Sequence, residues 1–370
     1  MDERGERVVA ALREAGADWA VLTSVDAVAY ATGHAPTVET GPSPFAGGPA
    51  VAVVARDGRI GLLAANAEAA RADVVETYDA YGSDHADAAT APYAEALRRL
   101  VARLGVGGVL ASETATHTAL LDTVLGTARV DVTPALRRQR ATKTAAELAA
   151  LRRVAAITAT GQRAFAAALA AGRSELALFA DIRAAMEAEA GERLAVGGDL
   201  LSGAARTAGI GGWPGGRVVQ PGDAVIADLG PRFGGYWGDS CATTVAGEAS
   251  DAQLRLFAAA RSALEHAMSI MRPGLAVSAL HEAVRGCVRG HGFDYPHHTG
   301  HSIGTAVHEY PRVTAREQAT LQADMVLMIE PGAYRPDIGG VRTEWMIHVT
   351  GTGCEAVEPF PLLASKSLVE

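Results

Sequence analysis

Two apolar runs in this chain end in a carboxylate, and no other feature of the sequence constrains the fold more. Gly222-Asp223 opens a turn, Ala224-Val225-Ile226-Ala227 reads as a strand interior, and Asp228 closes it. Met325-Val326-Leu327-Met328-Ile329 repeats the design and ends in Glu330-Pro331-Gly332. An acid at the end of a buried strand pays a desolvation penalty unless a partner or cation compensates it. The chain therefore has to bring compensating groups to two places far apart in sequence.

Past Asp228 the chain runs through Phe233-Gly234-Gly235 and returns as Tyr236-Trp237-Gly238-Asp239-Ser240. A hairpin centred between Phe233 and Gly234 makes Asp228 and Asp239 cross-strand neighbours, with roughly 5 Å between Cβ atoms. Carboxylates that close repel unless a proton or a cation lies between them. Taken alone, the hairpin also fits an exposed turn at Asp239 and a cap at Asp228. His297-His298-Thr299-Gly300-His301, followed by His308-Glu309, then concentrates histidines in a chain that has only 11. Neutral imidazole is a common metal ligand, and the glycines let backbone approach a site closely. Last, Val341-Arg342-Thr343-Glu344-Trp345-Met346-Ile347-His348-Val349 reads as a strand whose period of two puts Arg342 and Glu344 on one face; by itself that pair is an ordinary ion pair. His298 and His348 are read as surface or packing residues.

At 370 residues the chain exceeds the size at which one core usually keeps growing, so two domains are expected. With 49% hydrophobic and 20% charged residues it is globular rather than disordered. A net charge of -9 repels polyanions and argues against nucleic-acid or anionic-membrane partners, leaving a small substrate. Cys241, Cys287 and Cys354 form no C-x-x-C pair and fit a reducing cytoplasm. The start, Met1 to Arg7, is charged where a secretory signal turns apolar, and no apolar stretch reaches the roughly 18 residues of a membrane span. A cytoplasmic location is expected.

Residues 1–138 alternate short apolar runs, such as Val51 to Val54 and Ile60 to Leu63, with alanine-rich amphipathic stretches such as 92–104, which suggests a smaller α/β domain. The Gly- and Pro-rich stretch 33–49 is expected to be irregular and is assigned no chemistry. Arg137-Arg138-Gln139-Arg140 reads as a solvated basic face ahead of Thr144-Ala145-Ala146-Glu147, a capping box opening a long helix that ends near Gly172. The second domain is placed at 139–370. Within it, Gly172 through Arg183 and Gly274 through Arg285 carry Gly and Arg at matching offsets, as in two related α/β halves.

Taken together, Asp228, Asp239, His301, Glu330 and Glu344 resemble, in order and local setting, the five metal ligands of the pita-bread metallopeptidases. The resemblance rests on Asp228-Leu229-Gly230, Gly235-Tyr236 to Asp239, His301-x-x-Gly304, His308-Glu309, Glu330-Pro331-Gly332 and Arg342-x-Glu344. It covers the chain from about Thr142 to the end, and more loosely the first domain, which resembles the creatinase-like N-terminal domain of prolidases. It implies a mixed α/β (α+β) chain with a pseudo-twofold pita-bread catalytic domain, often a homodimer. It also implies two divalent ions, which a set of four carboxylates and one imidazole suits to manganese first and to cobalt, iron or zinc next. Paired ions lower the pKa of a water and polarise a scissile carbonyl. By resemblance Glu330 is both ligand and general base, His308 contacts the substrate and its tetrahedral intermediate, His297 lines the same pocket, and Arg342 orients Glu344. The implied activity is cleavage of Xaa-Pro dipeptides or of N-terminal Xaa-Pro bonds.

One departure bears on substrate. Many Xaa-Pro peptidases have a further histidine upstream of the first metal aspartate, where this chain has Ile210-Gly211-Gly212, although Ser202-Gly203 and Trp213-Pro214 keep part of the pattern. Two other functions therefore compete: a metal-dependent hydrolase of a non-peptide C–N amide, in the manner of creatinase or an ectoine-type hydrolase, and a non-catalytic binding module. Intact ligand positions disfavour the last.

Overall fold

The computed structural model describes residues 2–36, 38, 43, 45–65, 71–82 and 89–365. The stretch 33–49 thus lies partly outside the described residues. The chain divides into two compact units, Met1–Arg140 and Ala141–Glu370. The division falls near the end of the helix Thr133–Ala141, two residues beyond the expected boundary. Among the described residues no helix is long and apolar enough to cross a membrane.

The first unit is built on a six-stranded sheet in the order Val74–Thr77, Ile60–Ala64, Val51–Ala55, Trp19–Leu22, Leu110–Ser112, Val130–Asp131. Alternating residues serve its two faces. Ala20, Leu22, Ala52, Val54 and Leu62 pack with Val8, Leu12 and Val28, from the helices Glu3–Glu14 and Val25–Thr32. Trp19, Val21, Val51, Val53 and Leu63 pack with Tyr93, Leu97 and Leu100 of the helix Thr90–Leu104. Arg137 and Arg138 are exposed, as expected of a solvated face, with Arg138 paired to Glu14; Arg140 departs from it, being buried, donating to Asp26 at 2.6 Å and lying 5.3 Å from the Tyr30 ring centroid.

The second unit contains the expected repeat, written in backbone hydrogen bonds. Helix pairs Ala145–Ala168 with Glu175–Ala190, and Asp251–Ile270 with Val277–Gly290, each cross a short connection. In the first connection Gly172 N donates to Val219 O and Val219 N to Arg173 O; in the second Gly274 N donates to Leu321 O and Leu321 N to Leu275 O. Gly172 and Gly274 both hold positive φ, 86° and 91°, which is where each half needs a residue without a Cβ. After each pair comes an antiparallel strand ending in an acid: Ala224–Asp228, and Val326–Ile329 followed by Glu330. The first long helix ends at Ala168 rather than near Gly172, because Leu169 takes an extended ψ of 118° that starts the turn toward Val219.

Thr144 Oγ1 accepts from Glu147 N, and Glu147 Oε2 accepts from Thr144 N, the reciprocal capping box read from the sequence. Thr144→Ala removes one half of it and is expected to cost about 1 kcal/mol, read as a lower denaturant midpoint at unchanged slope.

Candidate metal centre

The hairpin after Asp228 turns through Gly234 and Gly235, both at positive φ, so Phe233 pairs with Tyr236 and Asp228 with Cys241. The register differs from the expected one: Asp239 lies two residues before Asp228's partner, on the diagonal of the same face, because the turn is made by Gly234-Gly235, one residue beyond the midpoint between Phe233 and Gly234. Asp239 Oδ1 accepts from Ser240 N at 2.9 Å, which aims the other oxygen at His301.

Three further backbone pairings bring in the other groups. Gly300 and His301 pair with Ile329 and Met328, so His301 stands on the strand beside the one that leads to Glu330. Glu330 N donates to Thr299 O at 2.9 Å. Glu344 N donates to Cys241 O at 2.8 Å, joining the last strand pair to the first. Close approach is essential at Gly300, where a Cβ would lie 1.9 Å from Met328 O. All eight residues singled out above, Asp228, Asp239, His297, His301, His308, Glu330, Arg342 and Glu344, line one cavity of about 630 Å³.

Within it, one ligand atom each of Asp239, His301 and Glu344 lie within 4.8 Å of one another. His301 Nε2 is 3.6 Å from Asp239 Oδ2 and 3.7 Å from Glu330 Oε1, too far for hydrogen bonds and a span that two donors to one ion can adopt. His301 Nδ1 lies 3.0 Å from Ser302 O; a carbonyl only accepts, so Nδ1 carries the proton and Nε2 turns a lone pair toward the acids. Burial drives the His301 imidazole down to about 4, so it is neutral near pH 7. A neutral imidazole lone pair facing carboxyl groups is a donor arrangement that fits a cation at that spot.

The acids carry the matching strain. Burial, then the charges of Asp228 and Glu330, push Asp239 well above the usual carboxylate range. Burial, then Asp239 and Glu330, do the same to Glu344. Burial raises Asp228 to about 6, with Arg342 pulling down and Asp199 and Glu330 pushing up. For Glu330, burial is outweighed by a hydrogen bond from His298 and the nearby His298, His301 and Arg342, which bring it to about 2. Hard oxygen donors crowded into a dry space, with one neutral imidazole, are a donor set for divalent cations.

Arg342 departs from its expected role: Nη2 donates to Asp228 Oδ2 at 2.6 Å rather than to Glu344, and Nη1 to Ile210 O at 2.6 Å. Asp228 lies across the sheet on the face that Arg342 shares with Glu344, a neighbour invisible from the strand's own period. His297 lines the cavity with both ring nitrogens engaged, Nδ1 with His298 O at 2.7 Å and Nε2 with Tyr334 Oη at 3.0 Å. His308 is exposed in the same cavity, its ring centroid 4.3 Å from that of His301. His348 packs as expected, buried between Asp324 and Glu355.

Three polar cavity residues escaped the sequence reading, His298, Asp199 and Arg312, as did Tyr334, which contacts His297. His298 is no surface residue, since Nε2 lies 2.6 Å from Glu330 Oε1 and Nδ1 accepts from Arg312 Nε at 2.6 Å. Its adjacency to His297 was the available signal. Asp199 had one too, an acid abutting the apolar Leu200-Leu201 just as Asp228 follows Ala227.

The model of Metallopeptidase family M24 matches residues 149–351, and that of the Creatinase/Prolidase N-terminal domain matches residues 4–142. The chain therefore belongs to metallopeptidase family M24, with a creatinase-like first domain and the pita-bread fold in the second. It is similar to the probable dipeptidase PepE of Mycobacterium tuberculosis, 32% identical over 329 residues that span 86% of this chain and 82% of the relative. The putative dipeptidase YkvY of Bacillus subtilis is 32% identical over 217 residues, 58% of this chain and 60% of the relative. The Xaa-Pro dipeptidase of Pyrococcus horikoshii is 34% identical over 139 residues, 37% and 40%. Both of the latter are thus matched over less than two thirds of their length. Among solved structures, the prolidase from Pyrococcus horikoshii OT3 superposes with a TM-score of 0.81 at 21% identity, covering 97% of this chain and 99% of that one. Dipeptidase PepE from Mycobacterium ulcerans gives 0.78 at 27% identity, covering 98% and 96%.

Arg342 is the cation closest to Asp228, and its side chain is only 4% exposed. Arg342→Met is expected to lower the stability of the metal-free protein by about 3 kcal/mol, measured by urea unfolding.

Proposed function

We propose that the chain is a hydrolase dependent on two divalent cations, manganese first, which cleaves the peptide bond of Xaa-Pro dipeptides or of N-terminal Xaa-Pro peptides. The observation that carries this reading is the convergence of Asp228, Asp239, Glu330 and Glu344 with the His301 Nε2 lone pair in one cavity. The names of the relatives, dipeptidases and Xaa-Pro dipeptidases, support the substrate class. Those five residues would hold the ions, which supply water activation and carbonyl polarisation when bound.

The protein's own groups do the rest. Glu330, ionised near neutral pH, accepts a proton during attack, and His298, whose Nδ1 accepts from Arg312 Nε, holds its Nε2 proton toward Glu330 Oε1 at 2.6 Å and orients that carboxylate. His308, exposed beside His301, is placed to donate to the oxygen on which charge develops. Arg312, an exposed cation on the cavity wall, gives a dipeptide's carboxylate a partner. Trp237 and Val307 supply apolar lining.

A second reading, hydrolysis of a non-peptide amide, is favoured by Ile210 standing in the wall where a histidine was expected. The deciding experiment assays metal-stripped protein, with and without manganese, on X-Pro dipeptides, other dipeptides and non-peptide amides. Manganese-dependent cleavage of X-Pro is expected; cleavage of non-peptide amides alone would sink the peptidase reading. Asp239→Ala and Glu330→Ala should each abolish turnover with folding retained by circular dichroism, and normal turnover in either would refute the assignment.

Because Asp239 and Glu344 titrate well above the usual range and Asp228 at about 6, the metal-free site holds protons that the metal-loaded site does not. Manganese binding should therefore release protons, and apparent affinity should rise as pH increases through 6. Calorimetry in two buffers of different ionisation enthalpy reads the proton count directly, and a buffer-independent heat would contradict the ligand set.

A further inference from the structure

The cavity lining carries one acid, Asp199, that the proposed metal set does not use. Asp199 N donates to Asp228 O and Asp228 N to Asp199 O, both at 2.9 Å, so the two are direct antiparallel partners. Two glycines permit this seat. A Cβ at Gly198, whose φ is 117°, would lie 2.0 Å from Asp228 O, and one at Gly211 would lie 2.8 Å from Asp199 Oδ2. Asp199 Oδ1 accepts from Gly212 N at 3.0 Å, fixing the loop that presents Ile210 to the cavity.

Arg342 contacts both acids and serves Asp228 first: its Nη2 is 2.6 Å from Asp228 Oδ2 but 3.4 Å from Asp199 Oδ2. A carboxylate accepts about four hydrogen bonds, so Asp199 Oδ2 keeps acceptor capacity. It is also the most open acid of the cavity, its side chain 24% exposed against 19% for Asp228, 11% for Glu330 and 9% for Asp239. The same cavity is lined by the exposed cation Arg312. A zwitterionic peptide can pair its ammonium with Asp199 and its carboxylate with Arg312 in one orientation only.

We infer that Asp199 is the anchor for the substrate's α-ammonium group, setting the peptide's direction across the cavity and selecting substrates with a free amine, with Ile210 as the apolar wall beside the first side chain. This rests on the peptidase reading above. The pairing is a charge-assisted N–H···O contact made equally before and during reaction, so it acts on binding rather than on chemistry.

The test uses manganese-loaded full-length protein and Asp199→Asn, which keeps an oxygen for Gly212 N but loses the charge. Ala-Pro is the substrate; propionyl-proline, its counterpart without the ammonium, is the competitive inhibitor. Loss of one charge-assisted pair should raise KM for Ala-Pro about tenfold, with kcat changing much less. The Ki of propionyl-proline and the manganese content should stay unchanged. Equal weakening of both ligands, loss of manganese, or an unaltered KM would each overturn the assignment, the first two by showing that Asp199 acts through Arg342 and Asp228. Failure of the unmodified protein to hydrolyse any free-amine peptide would instead overturn the peptidase reading itself.

Discussion

The four carboxylates proposed as ligands, Asp228, Asp239, Glu330 and Glu344, share one cavity with a single buried guanidinium, that of Arg342, and the second unit is arranged around that imbalance. Like charges in a dry space cannot all be ionised at neutral pH without a compensating cation. Arg342 donates to Asp228 and its charge also lowers Glu330, whereas burial and the neighbouring acids push Asp239 and Glu344 well above the usual carboxylate range. Backbone detail serves this end: Gly198 and Gly300 let strands close to distances that a Cβ would forbid, which is what gathers acids from separate strands into reach of one another.

What could be read from the sequence was whatever local pattern controls. Apolar runs ending in acids, the capping box at Thr144 and the glycines of the two helix connections are determined by neighbours along the chain, and they recur in the structure as read. The eight candidate residues meet in one cavity because each sits at a strand end or a glycine-bounded turn, positions the pattern marks. Pairings across the sheet were less legible. The hairpin after Asp228 depended on whether one glycine or two made the turn, and the positive φ at both Gly234 and Gly235 shifts the register by two residues. By resemblance Arg342 is expected to orient Glu344, with which it shares a strand face, whereas its guanidinium reaches Asp228, far away in sequence. His298 and Arg140 were judged by composition alone, and each is held by a partner that sequence distance conceals.

The two halves of the second unit share a backbone but not a chemistry, and that divergence shapes the cavity. Asp199 pairs with Asp228 through the backbone in the first half, and Thr299 occupies the corresponding place beside Glu330 in the second. Thr299 is fully buried, with its hydroxyl tied to Tyr295 and His281, while Asp199 is open to the cavity. Next to Thr299 stand His297, His298 and His301; next to Asp199 stand Gly197 and Gly198, with no side chain at all. The first half thus contributes acids, Asp199, Asp228 and Asp239, whereas the second contributes acids and basic groups together, Glu330 and Glu344 with His298, His308 and Arg342, so a pseudo-symmetric frame encloses a polar, directional site. Direction is what the proposed exopeptidase requires. A symmetric cavity would accept a dipeptide either way round and place its scissile carbonyl correctly in only one, whereas unlike walls make the unproductive orientation the more weakly bound one.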